Sequence, residues 1–238
     1  MHRALSGPSS LCGIQETDCI VPRRPVLRGE WWAPGTPAVP KPGGVHVFSV
    51  TEEVRDDELG PVVAWLLGRT PSEVRLRHDG FGRPRLDAEA IALSVCRDQG
   101  TLLLALSAAG SVALSAATVP ASFGTGALLP FTRAEREHAE RTPADRRTTV
   151  LTQLWTRKEA ALRLVGRGGF ARAAELDVLV DGTDGSVLVP QAGMLGAGGT
   201  AYVGDLPAAP GTVASLATSE PAGEVRVWQV RCPVPVGS

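Results

Sequence analysis

The chain predicts an α+β fold of two similar halves, each a helix packed on a small antiparallel sheet. Three observations carry that expectation. Apolar residues recur at helical spacing in some blocks and alternate at strand spacing in others. The order of helix followed by antiparallel meander comes twice. At 238 residues the chain is long enough to bury a substantial core, as one sizeable domain or two small ones. The expected divisions are a Pro/Gly-rich N-terminal arm over 1–44, a first α+β half over 45–125 and a second over 126–238.

In the arm, Pro22, Pro25, Pro34, Pro37, Pro40 and Pro42 exclude a helix or a central strand. The Trp31-Trp32 pair is out of place in a solvated tail, so the arm either packs across the domain or is partly disordered. Residues 45–50 (VHVFSV) read as a strand, and Glu58 to Leu67 as a helix with Leu59, Val62, Val63 and Leu66 on one face. Glu73 to Arg77 alternates like a strand and leads into a Gly80-Phe81-Gly82-Arg83-Pro84 turn. Residues 90–96, 101–107 and 111–115 then read as a three-strand meander. A helix over 133–141 starts at Thr132, with Glu135 as capping-box partner. A longer helix runs from about Pro143 to Val165 and stops at Gly166 and Gly168. Five strands follow, at 175–180, 186–190, 200–203, 212–218 and 225–230, with a turn over 181–185 after the first.

Composition narrows the functional classes. Lys plus Arg number 24 against 25 Asp plus Glu, a net charge of -1, which offers no electrostatic footprint for nucleic acid or an anionic membrane. The longest apolar runs, near Leu102 to Leu106, are too short to span a bilayer, and the N-terminus has no apolar run of signal-peptide length, so a cytoplasmic location is expected. Cys12, Cys19, Cys96 and Cys232 show no C-x-x-C spacing, which speaks against structural zinc or a redox pair.

On the long helix, Leu151, Leu154, Trp155, Leu162 and Val165 form the buried stripe, with Lys158 inside it and Glu159 on its edge. A charge in that position needs a partner or a route to water. One reading is a pair of positioned charges at a cleft, Glu159 as metal ligand or general base and Lys158 facing an anion. The other is a snorkelling lysine beside an exposed glutamate.

The stretch Trp155-Thr156-Arg157-Lys158-Glu159-Ala160, followed by Arg163 and by Gly166-x-Gly168, resembles the signature helix of the larger, single-chain 4'-phosphopantetheinyl transferases. These enzymes move the phosphopantetheine arm of coenzyme A onto a carrier-protein serine with the help of magnesium. Gly82-Arg83-Pro84 is similar to the family's Gly-Lys-Pro turn, which implies an Arg83 contact to coenzyme A phosphate. The similarity covers roughly residues 45–230. It implies the two-half fold and a cleft holding Glu159, Lys158, Arg83, Arg163 and Trp155.

The departures are equally specific. The family's Ser-His is matched by Ser94-Val95, and its Gly-Val-Asp-Ile-Glu by Ser111-Val112-Ala113-Leu114-Ser115, so the histidine and two magnesium-binding acids are absent. From Gln99 through Ala134 there is no Asp or Glu at all. Glu159 alone supplies one ligand to a cation that favours several oxygens. Val95, Ala113 and Ser115 would give a largely apolar wall, suited to a hydrophobic small molecule or carrier-bound intermediate and to a Glu159 of raised pKa. The expectation is therefore a repurposed, metal-independent relative without cofactor, acting in natural-product biosynthesis by cyclisation or isomerisation with Glu159 and Lys158 as catalytic groups. Two alternatives stand beside it. One is a non-catalytic protein that docks an acyl or peptidyl carrier protein. The other is a true transferase using coenzyme A and magnesium, with further ligands from Asp98, Glu135 or Asp79.

Overall fold

The computed structural model describes residues 27–33, 36–51, 54–80, 83–87, 91–166, 170–179, 185–189 and 199–231. Strands β1 (Leu27–Trp31) and β2 (Gly44–Val50) precede helix α1 (Leu59–Leu66), which a hairpin of β3 (Leu76–His78) and β4 (Pro84–Leu86) follows. Next come β5 (Ala92–Asp98), β6 (Thr101–Ser107) and β7 (Val112–Thr118), then helices α2 (Arg133–Arg141) and α3 (Ala144–Leu164). Strands β8 (Ser186–Val189), β9 (Gly199–Leu206), β10 (Thr212–Thr218) and β11 (Glu224–Val230) follow as the last of the described elements. The architecture is mixed α+β, and no described helix is long and apolar enough to cross a membrane.

The strands form a five-stranded sheet in the order β1-β11-β2-β6-β5 and a four-stranded sheet in the order β7-β10-β9-β8. Side-chain alternation sorts their residues into three apolar layers. Phe48, Val50, Leu104 and Trp228 pack with Val62 and Leu66 of α1. Val45, Val47, Leu103 and Val227 meet Leu114, Ala214 and Leu216 between the sheets. Ala201, Val203 and Ala217 pack with Leu154, Ala161 and Leu162 of α3. The order is thus helix, sheet, sheet, helix. Strand β6 (TLLLALS) lies covered on both faces, which explains its unbroken apolar run.

Residues 90–115 do not form one meander. Both edges of β6 are taken, by β2 and β5, so the third strand has no place beside them. After Gly110 the chain crosses to the other sheet, where β7 pairs with β10. Strand β11 makes the reverse journey and lies parallel to β2 and β1, so the first sheet is mixed where an antiparallel one was expected. Each sheet therefore holds a strand from the other part of the chain. From Leu27 onward the arm joins the fold: β1 is an edge strand and Trp32 is buried against Phe48 and Trp65.

Two expected strands differ. At 73–77, Glu73 is spent in a capping box with Thr70 that starts a short 3-10 turn, and the strand begins only at Leu76. At 175–180, a 3-10 turn over Phe170–Glu175 leads into irregular backbone whose polar groups have side-chain partners in place of a neighbouring strand. The capping box of Thr132 and Glu135 and the stop at Gly166, where φ is +74°, match the expectation. Residues 1–26, Phe81-Gly82, Gly168 and most of the 181–185 turn lie outside the described residues.

Candidate functional site

Helix α3 carries Glu159 and Arg163 one turn apart, on the side facing the free edge of β7. Arg163 Nη2 donates to Glu159 Oε1 at 2.8 Å, and Ser115 Oγ of β7 donates to Glu159 Oε2 at 2.6 Å. Arg163 Nη1 also reaches the Leu114 carbonyl at 3.3 Å. Both carboxylate oxygens thus have a fixed donor, and Ser115, fully buried, holds its side from behind.

The free edges of β5 and β7 run side by side and are joined by side chains. Leu114 N–H donates to Ser94 Oγ at 3.0 Å, the Cys96 thiol meets the Ala116 backbone, and Thr118 Oγ1 donates to Asp98 Oδ2 at 2.8 Å. Each rung joins residues about twenty apart. Beyond Ser94 and Leu114, where Ala92 and Val112 lie, the edges open into a cavity of about 570 Å³. Glu159, Arg163 and Arg83 line it together with Leu93, Val95, Val112, Ala113 and Leu164. This volume suits a small organic molecule.

Arg83 has a structural task as well. Its Nη1 donates to the Arg163 carbonyl at 2.6 Å and the Leu164 carbonyl at 3.4 Å, capping the C-terminus of α3. Asp79 takes its Nε at 2.7 Å and also pairs with Arg85. The β3–β4 hairpin is thereby fastened to the end of the helix that carries Glu159.

Of the expected site residues, Glu159, Arg163, Arg83, Val95 and Ala113 come together at the cavity, with Ser115 directly behind Glu159. Trp155 is half-buried and packs against the α3 core, away from the cavity lining. Lys158 faces no anion at a cleft. It is fully buried, pairs with the equally buried Glu135 at 2.7 Å, and donates to the carbonyls of Ala173, at 2.6 Å, and Leu176. Burial pulls its pKa below the ordinary lysine value, and the Glu135 carboxylate works against that shift. Snorkelling fails as a description too, since the ammonium has no exposure. Glu159 likewise is not set among apolar walls alone, because Arg163 pairs with it.

Sequence reasoning missed the edge rungs, the Arg83 cap and the Glu135–Lys158 pair. Glu135 was legible as a capping residue, yet its second oxygen accepts from Val178 N–H at 3.0 Å, a contact 43 residues away with no local signature. Cys96 sits between the sheets beside Arg163, and burial pushes its thiol pKa up.

The donor set does not fit a magnesium site of the kind the resemblance implies. Ala113 offers a methyl group, Ser115 turns its proton towards Glu159, and the one carboxylate at the wall among the described residues already faces a guanidinium. The further acids do not converge on it: Glu135 is buried with Lys158, Asp79 holds Arg83 and Arg85, and Asp98 lies at the opposite end of β5. A scan against protein-family models finds no match to this chain, and a search of the curated proteins finds none either.

Proposed function

We propose that this protein is a divergent relative of the phosphopantetheinyl transferases, repurposed as a metal-independent enzyme for a hydrophobic small molecule or a carrier-bound intermediate. The presence of one helix on the outer face of each sheet supports a reading as two similar α+β halves. The observation that carries the functional reading is the Glu159 carboxylate at the wall of a cavity of mixed lining, where an apolar patch faces three arginines and two serines; Ser115 holds one of its oxygens and Arg163 the other. A carboxylate paired in this way is an oriented base.

In an isomerisation, Glu159 takes the proton from a carbon next to a substrate carbonyl and returns it at another carbon. In a cyclisation, the carbanion left behind adds to a second carbonyl carbon of the same substrate, the C=O π bond breaks as the ring C–C bond forms, and the proton held by Glu159 passes to the resulting alkoxide. Arg163 and Arg83 face the negative charge that develops on the carbonyl oxygen, and the apolar wall of Leu93, Val95 and Ala113 takes the hydrocarbon part. Lys158 has no part in this chemistry and serves as a buried structural charge.

Incubation of a carrier protein with coenzyme A, magnesium and this protein, read by mass spectrometry, tests the reading. The carrier mass is expected to stay unchanged, and gain of the phosphopantetheine mass would return the protein to the ordinary transferases. One specific observation favours a non-catalytic carrier-docking protein as second reading: both Glu159 oxygens already have partners inside the protein. Carrier capture that is indifferent to Glu159→Gln, with no turnover of the carrier-bound chain, would select it.

A further inference from the structure

The seam between the sheets opens a second time, at the other end of β5 and β7 from Glu159. A cavity of about 290 Å³ lies where the ends of β2 and β11 meet the starts of β6 and β10, walled by the Pro207–Pro210 loop. Its apolar part is built from Leu103, Val227, Ala116 and Ala214, and the small alanines are what leave the space. Ser49, Thr101, Thr212 and Gln229 supply neutral polar groups. The size is at the lower end of ligand sites, which run from about 300 to 1,000 Å³.

Among the described residues, Asp98 is the one charged residue lining this cavity. Its Oδ2 accepts from Thr118 Oγ1 at 2.8 Å, and among the described residues no cation pairs with it. Its neighbour Arg97 points to the opposite face of β5, where it pairs with Asp56 and donates to the Val54 carbonyl. The Arg157 guanidinium, on the outer face of the second sheet, is engaged with Asp205. A lone carboxylate over a small apolar hollow is complementary to a cation with a hydrocarbon body. A carboxylate-bearing ligand would meet like charge there.

We propose that this cavity is a second binding site, separate from the Glu159 cavity, for a small primary alkylammonium ion. The ammonium group pairs with Asp98 and the alkyl chain lies over Ala116, Ala214 and Val227. The site stands independently of the function proposed for Glu159.

Titration of the full chain with n-hexylamine, n-hexanol and n-hexanoate at equal ionic strength, followed by methyl and amide NMR, tests it. The amine is expected to bind in the millimolar range and to shift Leu103, Ala116 and Val227. Hexanol should bind about fivefold more weakly, and hexanoate not at all. Asp98→Asn should lower amine affinity by about the same factor and leave hexanol binding unchanged. Equal binding of amine and hexanol overturns the proposal, as does amine binding that shifts other residues or no binding below saturating amine. The comparison of the three probes on the unaltered protein decides the matter even if Asp98→Asn fails to fold.

Discussion

Replacing Lys158 by Met separates a structural lysine from a catalytic one. The substitution keeps the length of the apolar stem and removes the ammonium group. Glu135 would then be left as a fully buried carboxylate without its cation, held only by the N–H groups of Thr132 and Val178. The carbonyls of Ala173 and Leu176 would lose their donor. Breaking a buried ion pair from one side costs about 3–5 kcal/mol. For a chain of this size each kcal/mol moves Tm by about 2–4 °C, so a fall on the order of 10 °C is expected.

The matching control is Glu159→Gln, which breaks the ion pair at the cavity wall. Arg163 and Glu159 keep 38% and 22% side-chain exposure, so water screens that pair and its loss should cost within about 1 kcal/mol. Urea unfolding of both variants measures the contrast. The double variant Lys158→Met with Glu135→Gln should recover part of the loss, because the uncompensated charge is gone. Lys158→Met with unchanged stability, or Glu159→Gln as the costlier change, would refute the assignment of Lys158 to structure and Glu159 to the cavity.

Three more outcomes are expected. Gly110→Ala should destabilise by about 1–3 kcal/mol in urea, because φ there is +81° and a Cβ would lie 2.5 Å from Ser219 Oγ, which accepts from Ser111 N–H where the chain crosses between sheets. His46 is held neutral by burial, which lowers its pKa, while the Ala38 carbonyl opposes that by hydrogen bonding Nδ1. The unfolded chain then binds a proton before the folded one, so His46 contributes stability that is fully present above about pH 6.5 and is lost as pH falls below it towards the folded pKa. Urea unfolding between pH 5 and 8 should show that slope, reduced in His46→Gln. Ser115→Ala should cost about 1 kcal/mol through the lost hydrogen bond to Glu159, measured the same way.

What was legible in the sequence was local. The strands at 45–50, 101–107, 212–218 and 225–230 and all three α-helices follow from periodicity and caps that act within a few residues. Strand partners were not legible, since nothing in residues 112–118 encodes that β6 has no free edge. The 175–180 segment shows the same limit. Leu176 and Val178 are buried and Glu175 and Asp177 exposed, as in a strand, but Lys158 and Glu135 take its backbone groups. At the site, motif order singled out Glu159, Arg163, Val95 and Ala113, which line one cavity, and Ser115, which bonds Glu159 from behind it. Lys158 was misplaced because its partner Glu135 lies 23 residues away on a different helix.

A calorimetric titration of the protein with coenzyme A, with and without magnesium, bears most directly on the proposed loss of the transferase site. No magnesium-dependent binding is predicted, because Glu159 is paired with Arg163 and, among the described residues, no second carboxylate joins it at the cavity wall. Micromolar binding that requires magnesium would contradict that loss.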